Sequence, residues 1–223
     1  MKIDVQASAT PMELLELDAA KPENRILEHP TWKAALDGSL PKARLKKLLL
    51  AFYPAFAGPG RYAFAAKISQ IDAEDGKQLF LQIHETLKNP GADADVGWKK
   101  LLTALGATQR ELAAEPSAEA ADLVDVLREH GLRSGPVHAA VIAYMLEQHL
   151  PTLWGRLADS LSKNYGVKSE YLRYEAGRAA STKKWVAHLV AKYVAKSDPY
   201  TMFEARRAAR EAIWAWTALT ETV

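Results

Sequence analysis

Apolar residues recur at spacings of three and four along the whole chain, and no stretch alternates in strand fashion for more than four or five residues. That periodicity predicts helices throughout. Met12 to Ala20 reads as a short helix behind Pro11, and residues 21–29 as a linker. Thr31 to Leu36 reads as a helical piece closed by Gly38. Ser39-Leu40-Pro41 opens a long helix whose buried face is Leu45, Leu48, Leu49, Phe52 and Phe56, with Pro54 as a kink and a restart at Arg61 after Gly58-Pro59-Gly60. Further helices are expected over Asp72–Leu87, closed by Asn89-Pro90-Gly91, and over Val96–Leu105. Ser117 is expected to cap a helix over Ala118–His130 that Gly131 stops. A long helix from Pro136 to Asn164 is expected to break near Pro151, and Lys168–Ala195 to form one long helix. The last helix begins with Asp198 as N-cap and Pro199 at its first position. Seven or eight substantial helices, no strand and no internal repeat describe an all-α, single-domain bundle.

Composition narrows the functional classes. The chain has no cysteine among its 223 residues, which removes disulfides, thiolate metal sites and cysteine nucleophiles together and fits a cytoplasmic location. A formal charge of +2 gives no basis for a nucleic-acid partner. The longest uncharged run, Leu48 to Gly60, contains two prolines and is too short to cross a bilayer, so no membrane association is expected. Phosphate-cradling glycine loops, nucleophile elbows, His-Glu-x-x-His and calcium loops are all missing.

Some polar residues stand out against the helical pattern. Glu147 is the lone acid of a very apolar helix and reads as facing an internal pocket, close to Tyr144; a buried acid there needs a partner or a raised pKa. His84 and Glu85 are neighbours about 100° apart on one helix. Tyr171, Tyr174, Glu175 and Arg178 share a stripe that reads either as a pocket wall for a carboxylate or quinone oxygen, or as an aromatic packing face with a Glu175–Arg178 pair. The basic zone from Arg178 to Lys196 is interleaved with Trp185, Val186, Leu189, Val190 and Tyr193, an amphipathic pattern that favours packing over RNA readout. No two of the six histidines have the spacing of a helical metal clamp.

Glu28-His29-Pro30-Thr31-Trp32 followed by Leu36-Asp37-Gly38-Ser39-Leu40 resembles the opening of the haem-oxygenase-like superfamily, which includes thiaminase-type proteins, pyrroloquinoline quinone synthases and iron-containing redox enzymes. Trp98–Gly106, Tyr144–Gly166 and Tyr171-Leu172 are similar to later parts of the same pattern, in order, over roughly residues 25 to 220. The resemblance implies residues 25–223 as a haem-oxygenase-like helical domain behind an N-terminal arm, 1–24, that carries a short helix. It implies a small organic molecule in a central helical cage, and oxidoreductase or cofactor-biosynthesis-type chemistry. The alternative is a member that binds a small molecule or a protein without catalysis.

In the di-iron branch the resemblance implies a mixed carboxylate and histidine cage. Glu147 followed by Pro151 fits it, and Glu85 fits loosely. The last helix offers Glu175, Ala179 and Thr182 where His, Asp and His are implied, so no metal is expected and the cofactor is left unassigned. Glu147, Glu85, Glu175 and Tyr171 are the expected catalytic residues. Tyr144, Tyr174, Arg178 and His84 are the expected ligand-binding residues. The resemblance also implies a homodimer, for which Trp214 and Trp216 of the last helix supply either interface or core.

Overall fold

The computed structural model describes residues 9–57, 71–88, 93–132, 135–147 and 149–223. Among these residues every regular element is helical. Helix α1 (Pro11–Ala20) opens with a complete capping box from Thr10 and Glu13. The expected linker then contains two single 3₁₀ turns, Pro22–Asn24 and Ile26–Glu28. Helix α2 (Pro30–Asp37) starts on the ring of His29, whose Nδ1 accepts the Thr31 N–H. It ends at Gly38, where φ is +85° and a Cβ would collide with the Asn164 side chain, so backbone and space both favour glycine.

Helix α3 (Lys42–Phe56) continues through Pro54, which falls in its last turn and removes one donor without ending it. The expected restart at Arg61 and the Asn89-Pro90-Gly91 stop lie outside the described residues. Helices α4 (Ala73–Lys88), α5 (Ala94–Ala104) and the single turn α6 (Gln109–Leu112) follow. Helix α7 (Ala118–Leu132) runs past the expected stop at Gly131. Glycine lowers helix propensity by only about 1 kcal/mol, and packing of α7 against α3 and α12 outweighs it.

The long helix from Pro136 divides, as expected, into α8 (Pro136–Glu147) and α9 (Leu150–Asn164), with Pro151 in the first turn of α9. The expected single helix over 168–195 is three pieces instead: α10 (Glu170–Gly177), α11 (Ala179–Leu189) and a π-helical turn at Val190–Val194. Ser169 caps α10 by accepting the Leu172 N–H, and the break falls at Gly177-Arg178. The last helix, α12 (Pro199–Glu221), has the expected Asp198 cap and Pro199 start.

Helix α12 packs on α7 and α8, and α9 packs on α10 and α2. Helix α1 is pinned to this frame by a buried carboxylate. Asp18 accepts from Arg206 of α12 through both oxygens, at 2.6 and 3.0 Å, and from Lys21 at 2.9 Å. Burial opposes the charge on Asp18, but those hydrogen bonds outweigh it and hold the carboxyl below its ordinary value.

Candidate functional site

The interior of the bundle is a cluster of large aromatic rings supplied by five helices. Trp32 comes from α2, Phe52 and Phe56 from α3, Trp98 from α5, Trp154 from α9 and Trp216 from α12. Their neighbours on the same helical faces, Leu48, Leu49, Leu102, Leu153 and Ile213, are buried, so the periodicity read from the sequence is what turns these rings inward. Phe56 is the hub. It stacks on Trp98 (6.0 Å between centroids) and meets Trp154 and Trp216 edge-on at 5.2 and 5.3 Å.

Two of these rings carry a polar group with no partner. Trp98 and Trp216 are 1% and 2% exposed, and among the described residues neither indole N–H finds a hydrogen-bond acceptor. Trp32 shows the usual solution: its N–H donates to the Thr220 hydroxyl at 3.1 Å, which in turn donates to the Trp216 carbonyl. An unpaired buried donor costs roughly 1–3 kcal/mol, and native interiors avoid it. A pair of them on rings of one aromatic cluster is therefore an unusual feature. His149, at the start of α9, adds a third buried atom without a partner, Nε2. Burial holds its imidazole below the ordinary histidine value and keeps it neutral, against a hydrogen bond with the Asn24 backbone that works the other way.

The residues expected from the sequence to carry chemistry are spread over three helices. Glu147 is the last residue of α8, and His84 and Glu85 lie on α4; their side chains lie outside the described residues. Tyr144, also on α8, is half-buried, and burial followed by the charge of Glu16 on α1 raises its pKa. The α10 stripe is internally paired. Arg178 lies 3.6 Å from Glu175 in the expected i,i+3 pair, and its guanidinium sits 5.5 Å from the centre of the Tyr174 ring.

Tyr171 faces α5, where Gly97 makes room for it: a Cβ at position 97 would stand 2.5 Å from Tyr171 Cβ and Cγ. Beside this contact is a cleft of about 300 Å³, lined by Gly97, Lys100, Leu101, Lys168, Glu170 and Tyr171. Of these only Tyr171 was singled out in the sequence. A glycine inside the α5 pattern, between Val96 and Trp98, was the available signal for a close approach.

A further polar cluster went unread in the sequence. Asp75, in the first turn of α4, is buried and accepts from Tyr193 Oη at 2.7 Å and from Lys192 Nζ at 2.8 Å, with His188 Nε2 at 2.8 Å. Lys192 also pairs with Asp72, whose carboxyl it holds down to about 2. Lys192 and Tyr193 belong to the π-helical turn, and such turns re-aim side chains in this way.

The di-iron arrangement implied by the sequence resemblance does not fit this frame. Glu175 is tied to Arg178, and Ala179 and Thr182 on α11 offer no imidazole. His188, the next histidine, is engaged with Asp75. Among the described residues no three His, Asp or Glu side chains are grouped as metal ligands, and no helix is long and apolar enough to cross a membrane.

No protein-family description matches the sequence, and no curated protein sequence matches it significantly. Solved structures do. A TenA homologue from P. horikoshii OT3 superposes with a TM-score of 0.67 at 18% identity, covering 96% of this chain and 98% of that one. A TenA homologue from Pseudomonas syringae pv. tomato DC3000 gives a TM-score of 0.67 at 15% identity, covering 96% and 93%. At such identities the likeness is one of fold. TenA homologues are haem-oxygenase-like, so the chain has the haem-oxygenase-like all-α fold expected from its sequence.

Proposed function

We propose that this chain is a small-molecule protein of the thiaminase-type, cofactor-biosynthesis-related kind, and that it holds a planar, acceptor-bearing organic molecule against the aromatic interior. The observation that carries this reading is the pair of buried indole N–H groups in one aromatic cluster, Trp98 and Trp216, without acceptors among the described residues. Phe56, Trp98, Trp154 and Trp216 pack on one another, and a flat heteroaromatic or quinoid ligand would insert among these rings and take its acceptor atoms to the two donors. The cysteine-free chain has no thiol nucleophile, so Glu147 and Glu85 are assigned as the acid–base groups. Cofactor-biosynthesis chemistry is favoured over di-iron oxidation because α10 and α11 bring Glu175, Ala179 and Thr182 without imidazole.

A second reading rests on the α5–α10 cleft, where Lys100 and Lys168 beside Tyr171 favour an acidic ligand.

The test uses tryptophan emission. A panel of aminopyrimidines, pyridine carboxylates and quinones is titrated into the protein and quenching is followed. At least one class is expected to quench. Trp98→Phe and Trp216→Phe, which keep an aromatic ring and remove the N–H, should each weaken binding about 10-fold, the worth of a neutral hydrogen bond at the upper end. Absence of quenching across the panel, or affinity unchanged in both variants, contradicts the reading.

A further inference from the structure

The cleft between α5 and α10 holds charges without partners. Lys100 and Leu101 follow Gly97 at three and four residues, so all three stand on one side of α5, and Lys168, Glu170 and Tyr171 form the facing wall. The next charges along each wall are paired. Lys99, beside Lys100, donates to Asp95 at 2.6 Å, and Arg173, three residues after Glu170, reaches Asp159 at 3.1 Å. Within the cleft the pattern stops. Among the described residues the side chains of Lys100, Lys168 and Glu170 make no ion pair and no hydrogen bond, with one another or with any neighbour.

Two ammonium groups and one carboxylate around a single cleft complement a molecule with one carboxylate and one ammonium group of its own. A simple anion would meet Glu170 as a like charge, and a simple cation would meet two lysines. The rest of the lining is apolar: Leu101, and the half-buried ring of Tyr171 seated against Gly97. At about 300 Å³ the cleft lies at the lower end of small-ligand pockets, about 300–1,000 Å³, which suits a single amino acid better than a nucleotide.

Taking the cleft as the site of an acidic ligand, as in the second reading of the function, we propose that it binds a free α-amino acid with an apolar side chain. The carboxylate lies between Lys100 and Lys168, the ammonium group meets Glu170, and the side chain packs against Leu101 and Tyr171. The three charges are exposed to solvent, so each pair is screened and the site is weak and reversible, with a dissociation constant of about 1 mM.

Backbone amide chemical shifts of the full chain, followed during titration with L-phenylalanine, test this. The amides of Gly97, Leu101 and Glu170 are expected to shift together and to saturate with a dissociation constant of about 1 mM. Two analogues divide the charges: 3-phenylpropionate lacks the ammonium group and phenethylamine lacks the carboxylate. Each should bind about 5-fold more weakly, the worth of one exposed ion pair at its upper end. Glu170→Gln should weaken L-phenylalanine about 5-fold and leave 3-phenylpropionate unchanged or tighter. Lys100→Met combined with Lys168→Met should weaken both compounds. All three side chains are exposed, so the variants are expected to keep the fold, which thermal unfolding checks. If 3-phenylpropionate binds as tightly as L-phenylalanine, or Glu170→Gln changes nothing, the amino-acid assignment is overturned while a site for an acidic ligand stands. If neither compound shifts these amides, both are overturned. Shifts confined to Leu102 and Ile213 would place L-phenylalanine in the aromatic interior and would also overturn the assignment.

Discussion

At the residue scale, Gly97 shows how a single missing methyl shapes the molecule. It lies inside α5, where glycine is unfavourable, and what it provides is a close seat for Tyr171. Gly97→Ala would place a Cβ 2.5 Å from Tyr171 Cβ and Cγ, atoms near the α10 backbone that cannot swing away. The gain in helix propensity is about 1 kcal/mol, whereas forced repacking costs about 1–3 kcal/mol. A net loss of stability is expected in urea unfolding, with Tyr171→Ala partly relieving it in the double variant. Tyr171 was legible in the sequence because its stripe has helical spacing. Its seat was not, because a lone glycine in a helix says that something comes close without saying what.

At the element scale, the sequence marked nearly every helix, since caps and apolar periodicity are local signals. It missed the division of 168–195 because the competing causes are not local. Gly177 weakens the helix at one point, and the π-helical turn is held by contacts to α4, more than a hundred residues away. Asp75, Lys192, His188 and Tyr193 were invisible as a group for the same reason.

That latch makes a pH prediction. Asp72 and Asp75 both lie below the ordinary carboxylate value of 3.8. Asp72 falls to about 2 through its bond to Lys192. Asp75 is lowered because its bonds from Lys192, Tyr193 and His188 outweigh the cost of burial. A carboxylate with a depressed folded-state pKa contributes stability that is complete above its unfolded value and disappears as pH falls through its folded one. Hydrogen exchange at the start of α4 should therefore be slow at pH 5 and accelerate, relative to the α12 core, between about 3.8 and about 2. Lys192→Met should bring that acceleration to higher pH. Uniform exchange of α4 and α12 across the range would show that the latch does not govern this helix.

At the scale of the whole molecule, the ordered resemblance gave the haem-oxygenase-like fold, and the superposition on TenA homologues bears it out. The interior chemistry was much less legible. Trp216 read as either interface or core, and it is core, together with Trp32, Trp98 and Trp154. What the sequence did not reveal is that the Trp32 N–H finds Thr220 while those of Trp98 and Trp216 find no acceptor among the described residues. Hydrogen-bond satisfaction depends on which helices meet, a tertiary fact. The central claim is that these two donors await an acceptor on a flat ligand. The most direct measurement is a high-resolution crystal structure of the protein soaked with the tightest-quenching compound of the panel. The account predicts ligand density against Phe56 and Trp154, with acceptor atoms within hydrogen-bonding distance of Trp98 Nε1 and Trp216 Nε1. Density for the compound only in the α5–α10 cleft, or only a water at the two indoles, would contradict it.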